Sequence, residues 1–134
     1  MDAIDFRVSE PVDRAALNAL LATAWEGYEG YDPAPVLARS LAWVCAYDAG
    51  RLAGFVNLAW DGGAHAFILD TIVSPGHQRR GIGSGLVRRA LDAARAAGVE
   101  WVHVDHEPHL DTFYRGCGFR PTAAGVLNLL RAGA

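Results

Sequence analysis

Between residues 64 and 104 the chain changes texture three times, and that succession limits the fold more than any other feature. A strand-like run at 64–73 ends at Ser74-Pro75-Gly76. From about Gly81 to Ala97, Ile82, Leu86, Val87, Ala90, Leu91 and Ala94 recur on one helical face. Arg88, Arg89, Asp92 and Arg95 occupy the other, and Gly98 stops the helix. Residues 101–104 are strand-like again. Strands joined through a helix of this length run parallel with a right-handed crossover. The fold class is therefore α/β.

Upstream, 4–8 reads as a short strand ended by Ser9-Glu10-Pro11, with Ser9 placed to cap a helix and Pro11 in its first turn. Val12, Ala16, Leu17, Leu20, Leu21 and Ala24 then recur with helical spacing. Residues 27–33 form a loop, and a short helix follows at about 35–39. Runs at 41–47, 52–60 and 64–73, separated by 48–51 and 61–63, make an antiparallel meander with hairpin turns. After the crossover, Pro108 opens a short helix to about Gly116. Phe119 begins a last extended piece, and 125–130 pairs with it. The expectation is one domain, 1–134: a mixed sheet in which an antiparallel meander leads into a β-α-β crossover, with helices on both faces. A chain of 134 residues buries about two-thirds of its unfolded surface, so it needs neither disulfide nor metal to fold.

Composition removes several chemistries. All 12 basic side chains are arginine, which excludes a Schiff-base lysine and a P-loop lysine. A net charge of -3 argues against a nucleic-acid partner. Residues 1–67 hold 4 Arg against 9 acidic groups and residues 68–134 hold 8 against 6, so the second half is the better host for an anion. Two distant cysteines, Cys45 and Cys117, fit a reducing, cytoplasmic setting. The acidic start is unlike a secretory signal, and no run is long and apolar enough for a membrane span.

The chemistry-bearing stretch is Gln78-Arg79-Arg80-Gly81-Ile82-Gly83-Ser84-Gly85. Glycines before a helix admit a ligand close to the backbone, and the unpaired N–H groups of the first turn point at it together with the positive end of the dipole. Arg79 and Arg80 add charge-assisted donors. The stretch is a pyrophosphate cradle. A dinucleotide fingerprint fails in either register: its third glycine falls on Leu86 or on Arg88.

Gln78-x-x-Gly81-x-Gly83, entered through Val73-Ser74-Pro75, resembles the acyl-CoA motif Q/R-x-x-G-x-G/A of the GNAT superfamily of N-acyltransferases. A second likeness is Phe113-Tyr114-x-x-x-Gly118-Phe119, downstream of the next strand. The resemblance runs from about residue 52 to 119, the acyl-CoA-binding core, with acceptor-side helices at about 11–40. It implies acetyl-CoA as co-substrate, bound by Ile72, Val73, Gln78, Arg79, Arg80, Gly81, Ile82, Gly83 and Ser84, and no metal. The Val73 N–H would polarise the thioester carbonyl, with Ile72 beside it aligning the pantetheine arm. Tyr114 takes the place of the general acid that protonates the sulfur. A homodimer through the C-terminal strand is an arrangement the resemblance allows.

The base is left among several groups. Asp70, Asp105 and Glu107 lie near ends of the strands flanking the cleft, and Glu107 stands where many family members carry a cofactor-touching asparagine. Strand alternation places Asp70 with Ile72 on one face, and Leu69, Thr71 and Val73 on the other. A water relay or a histidine would also serve. His103, His106 and His109 lack a metal-ligand spacing. His77 flanks the phosphate loop and His65 is a surface residue. Tyr28 and Tyr31, with Trp25, Glu26 and Glu29, would wall an acceptor pocket suited to a small cationic amine. Cys117, between two glycines and without a paired base, reads as packing rather than as an acyl carrier.

Overall fold

The computed structural model describes residues 3–131 and divides into two compact units, Met1–Val104 and Asp105–Ala134. In the first, five strands lie side by side in chain order: β1 (Asp5–Val8), β2 (Ala42–Asp48), β3 (Arg51–Trp60), β4 (His65–Val73) and β5 (Trp101–His103). Strands β1 to β4 pair antiparallel and β5 joins β4 parallel, so the sheet is mixed. Ala49 and Gly50 link β2 to β3 with φ of 49° and 82°. Two left-handed residues in succession are what a two-residue type I′ hairpin requires.

Helices cover both faces of this sheet. Gly54 and Phe55 are neighbours on β3 and so face opposite ways. Phe55 is fully buried in one cluster with Leu17, Leu20 and Leu21 of α1 (Arg14–Ala22) and Leu37 of α2 (Ala34–Leu37). A Cβ on Gly54 would instead stand 3.0 Å from Leu86 and 3.1 Å from Ile82, both on α3 (Ile82–Ala96). Gly85 answers from the helix: a Cβ there would lie 2.6 Å from the Phe6 ring of β1. The third glycine of the loop stretch is therefore needed for helix–sheet packing. Truncating Phe55 to Ala would cost about 3–5 kcal/mol, the usual price of a large core cavity.

Three local expectations change. Helix α1 begins at Arg14 and is capped by Asp13, whose Oδ2 accepts from the Ala16 N–H at 2.9 Å. Ser9 instead ends β1, with φ of 56° and its N–H on the Trp43 carbonyl at 2.7 Å. Second, strand alternation breaks on β4. Between the pairs Asn57↔Leu69 and Phe55↔Ile72, β3 contributes one residue, Val56, and β4 two, Asp70 and Thr71. This is a β-bulge, and Asp70 carries it with φ of 57°. Leu69 and Ile72 therefore share a face, because their partners on β3 are two residues apart. The expected grouping of Asp70 with Ile72, and of Leu69 with Thr71 and Val73, does not hold.

The third change lies in the second unit, which contains a 3₁₀ turn, Pro108–Leu110, and α4 (Asp111–Gly116). No strand occurs from residue 117 to 131, so the terminal pair expected at 119 and 125–130 is not formed among the described residues. Asn128 Oδ1 accepts from the N–H groups of Leu130 at 2.8 Å and Arg131 at 3.1 Å. Such an Asx turn takes up N–H groups that a ladder would need and bends the chain. The dimer reading thereby loses its strand. Among the described residues no helix is long and apolar enough to cross a membrane.

Candidate active site

The loop between β4 and α3 has the form its glycines dictate. Gly81 sits at the helix N-cap with φ of 78° and no side chain caps the first turn, leaving that turn's N–H groups without the usual side-chain acceptor. A Cβ on Gly81 would meet nothing within 4 Å, so the approach to the helix start is open. Arg79 also adopts a left-handed conformation, φ 64°. Gln78 reaches back to the end of β4, its Nε2 donating to the Val73 carbonyl at 3.3 Å. The first intrahelical bond, Gly85 N–H to the Gly81 carbonyl at 3.0 Å, starts a 15-residue helix whose dipole favours an anion at this end. These residues fit a pyrophosphate.

His77 does more than flank the loop. Its Nε2 lies 2.9 Å from Asp48 Oδ2, and Arg80 lies 3.5 Å from the same oxygen. The hydrogen bond from His77 and the charge of Arg80 hold the Asp48 carboxyl below its ordinary range.

At β4 the bulge lifts Asp70 out of the strand's alternation. The residue as a whole is exposed, yet desolvation raises its carboxyl pKa. The two observations agree if the carboxyl sits in a recess open on one side, and the direction of the shift follows from the recess. No hydrogen bond or ion pair holds it among the described residues. A left-handed non-glycine residue bearing an unpaired carboxyl is local strain of the kind found at functional sites. Ile72, next but one, buries its side chain in the α1-facing core, which leaves only its backbone for a ligand.

The loop after α1 lies near enough to this carboxyl for its charge to be felt there. Burial raises the pKa of the Tyr28 and Tyr31 hydroxyls, and the charge of Asp70 adds to both shifts. The loop is organised by Asn18 of α1. Its Oδ1 accepts from the Tyr28 hydroxyl at 2.7 Å and the Tyr31 N–H at 3.0 Å, while its Nδ2 donates to the Tyr31 carbonyl at 2.9 Å. Trp25 stands 6.3 Å from Tyr28, ring to ring. Asp70, Tyr28 and Tyr31 are thus brought together in one unit.

Tyr114, Glu107 and Asp105 belong to the second unit. Tyr114 is buried there among aromatic rings: His106 stacks on it at 4.9 Å, and Phe113 and Phe119 meet it edge-on at 4.8 and 5.8 Å. His106 Nδ1 is held 2.8 Å from the Glu107 carbonyl oxygen, which orients the stacked ring. The Glu107 and Asp105 side chains are exposed. His65 is not simply a surface residue, since its Nδ1 lies 2.9 Å from Nε2 of His103 on β5. Burial pushes both thiols up, Cys45 to about 11 and Cys117 in the same direction, which disfavours thiolate at neutral pH. A cleft of about 370 Å³ bounded by Val12, Pro33, Leu37 and Trp43 contains none of these candidate groups.

The acetyltransferase (GNAT) family model matches residues 14–119. The chain belongs to the GNAT acetyltransferase family. It is 37% identical over 119 residues to a mycothiol acetyltransferase of Clavibacter sepedonicus, covering 84% of this chain and 34% of that protein. A probable glucosamine 6-phosphate N-acetyltransferase of Oryza sativa subsp. japonica is 34% identical over 88 residues, 66% of this chain and 49% of the relative. The chain therefore spans only about a third to a half of these two curated relatives. Among solved structures, a GNAT acetyltransferase of Streptococcus pneumoniae superposes with a TM-score of 0.77 at 28% identity, covering 95% of this chain and 99% of that one.

Within this GNAT domain, sequence reasoning missed three features: the bulge at Asp70, the anchoring by Asn18 and the contact of Asp48 with the loop. Asn18 left a signal, a polar residue flanked by Leu17 on the apolar side of an amphipathic helix. Asp48 left none, because its contact spans 29 residues of sequence.

Proposed function

We propose that this domain transfers an acetyl group from acetyl-CoA to a primary amine of a small molecule or peptide by direct attack on the thioester. The observation that carries the reading is the uncapped α3 N-terminus behind Gly81, open on the ligand side and flanked by Arg79. Gly81, Ile82, Gly83 and Ser84 offer backbone N–H groups to the pyrophosphate, and Gln78 ties the loop to Val73. The Val73 N–H polarises the thioester carbonyl. The amine nitrogen bonds to the carbonyl carbon, giving a tetrahedral intermediate without an enzyme adduct. When that intermediate collapses the carbon–sulfur bond breaks, and Tyr114 gives its proton to the departing thiolate. A phenol with an ordinary pKa near 10 is protonated at pH 7 and suited to that role.

Asp70 takes the proton that the amine loses, or pairs with the ammonium before it is lost. A carboxyl with a raised pKa binds protons more tightly than an ordinary carboxylate. Glu107 and a water relay are the other routes for that proton. Tyr28 and Tyr31 beside Asp70 form an acceptor wall whose aromatic faces and single carboxylate suit a cationic amine. The relatives named for mycothiol and glucosamine 6-phosphate support an amine acceptor of small size. A cytoplasmic setting accompanies this reading, since acetyl-CoA and free thiols belong to it.

Titration calorimetry with acetyl-CoA, desulfo-CoA and NAD tests the cradle, followed by an amine panel under turnover. Binding of both CoA compounds but not NAD is expected. CoA binding without turnover of any amine would leave a CoA-binding module, and no CoA binding by folded protein would reduce residues 78–83 to a helix start.

A further inference from the structure

We propose that Asp48, at the end of β2, is a positioning residue that latches the phosphate loop through His77 and Arg80 and leaves Arg79 as the loop's free cation. This deepens the acetyl-CoA reading of the same loop and rests on it. The type I′ turn at Ala49-Gly50 ends the hairpin beside the loop, and a single carboxylate oxygen there meets two loop residues, His77 at 2.9 Å and Arg80 at 3.5 Å. Gln78 is tied separately to the Val73 carbonyl. Residues 77, 78 and 80 are therefore each held to a strand end, and Arg79, between them, has a left-handed backbone and no side-chain partner among the described residues.

The two arginines of the motif are thus not equivalent. Arg80 is committed to the protein, and its guanidinium keeps the loop folded against the hairpin. Arg79 projects from a backbone conformation that costs energy and persists because its neighbours on both sides are fixed. A carboxylate close to a phosphate site would by itself repel the ligand, so its presence calls for a compensating role, and holding the loop in its binding shape supplies one. The lowered pKa of Asp48 is the electrostatic signature of the same contacts, hydrogen bonding to His77 first and Arg80 after it. The backbone joins the hairpin to the start of the loop through the Ser74 N–H and the Ala53 carbonyl at 2.7 Å, and the Asp48 side chain adds the contacts to His77 and Arg80 further along it.

The latch makes a signed prediction that a simple charge effect reverses. Asp48→Ala removes both contacts and should weaken acetyl-CoA binding about tenfold, raising its KM while kcat stays within about twofold. Asp48→Asn keeps an acceptor of the same shape for the His77 Nε2–H and should restore affinity to within about threefold of wild type. His77→Ala should weaken binding somewhat less, since it keeps the Arg80 contact, and the Asp48→Ala/His77→Ala double variant should be little worse than Asp48→Ala alone, which already loses both contacts. Without ligand, amide hydrogen exchange at residues 75–83 should speed up in Asp48→Ala.

If the wild type binds acetyl-CoA while both Asp48 variants bind equally well or more tightly, or if the double variant is additive, the latch is wrong and the cradle stands. If the wild type binds no CoA compound, both readings fail. Unchanged exchange at 75–83 in Asp48→Ala also overturns the latch, whatever the affinities show.

Discussion

The loop after β4 and the loop after α1, which we propose receive opposite charges, are held in opposite ways. The first, ending at Gly81, presents backbone donors and Arg79, and is tied down by charged contacts to Asp48 together with Gln78. The second, around Tyr28 and Tyr31, lies within reach of the charge of Asp70 and is tied by one neutral amide, Asn18. Recognition of a pyrophosphate depends on backbone geometry, which few sequences provide and which leaves a motif. Recognition of an acceptor depends on which side chains line a wall, and many sequences can line one. The cofactor side of such a domain is therefore the constrained side, and the acceptor side is where relatives with different substrates can diverge.

Gly83→Val should separate the two loops most sharply. A β-branched side chain in the first turn of α3 blocks close approach of phosphate to the backbone, and losing two to three charge-assisted bonds weakens acetyl-CoA by on the order of 100-fold or more. Circular dichroism should stay native. Retained affinity in the folded variant would show that side chains, not the helix start, hold the cofactor.

Tyr114→Phe asks whether the rate resides in either loop or in the second unit. Turnover should fall by about 100-fold or more while acetyl-CoA affinity stays unchanged, because the hydroxyl acts on the leaving sulfur. The ring's contacts with His106, Phe113 and Phe119 are kept by phenylalanine, and circular dichroism of the variant checks that the fold is kept. Unchanged turnover would hand the proton to water or to another group.

Asp70→Asn tests the carboxyl near the proposed acceptor loop. With a raised pKa, Asp70 binds more protons folded than unfolded between its ordinary value and its folded one, so stability declines as pH rises through that window. The variant should therefore melt higher than wild type at pH 7 while kcat/KM for the amine falls about tenfold. In the wild type, kcat/KM should decline with acid along a limb displaced above the usual carboxylate range, and that limb should vanish in Asp70→Asn. A limb that persists would assign the base to Glu107, a histidine or solvent.

The legibility of the sequence follows the same division. The meander, the crossover and the helices on both faces were readable because each rests on local periodicity and on glycine-bearing turns, as at Ala49-Gly50 and Gly81. The start of α3 behind Gly81 was readable for the same reason. What escaped depends on register and on contacts distant in sequence. The bulge at Asp70 reverses the parity of the rest of β4, and Leu69-Asp70-Thr71-Ile72 does not announce it: the stretch has no glycine, and although Asp tolerates a positive φ better than most residues it is also common in regular backbone. The terminal strands failed because Val126, Leu127, Leu129 and Leu130 look like a strand by composition, whereas the Asn128 side chain bends the backbone between them.

The smallest expected effect discriminates most finely, because it acts on the proposed acceptor loop through a residue behind it, Asn18, rather than through the wall residues themselves. Asn18→Ala removes the acceptor for the Tyr28 hydroxyl and the Tyr31 N–H and the donor to the Tyr31 carbonyl. Part-buried groups left without partners should lower stability by about 1–3 kcal/mol, read from denaturant unfolding. Gly30 packs against the same amide, where a Cβ would stand 3.3 Å from Asn18 Oδ1, so the loop should relax toward the space the side chain vacates. The amine KM should then rise by about threefold to tenfold, from loss of preorganisation, with the acetyl-CoA dissociation constant unchanged. Asn18→Asp keeps the acceptor but places a carboxylate against the Tyr31 carbonyl in place of a donor, and should fall between alanine and wild type. If acetyl-CoA affinity dropped in parallel with the amine KM, the two loops would not be independently held, and the division between a charged latch and a neutral one would lose its meaning.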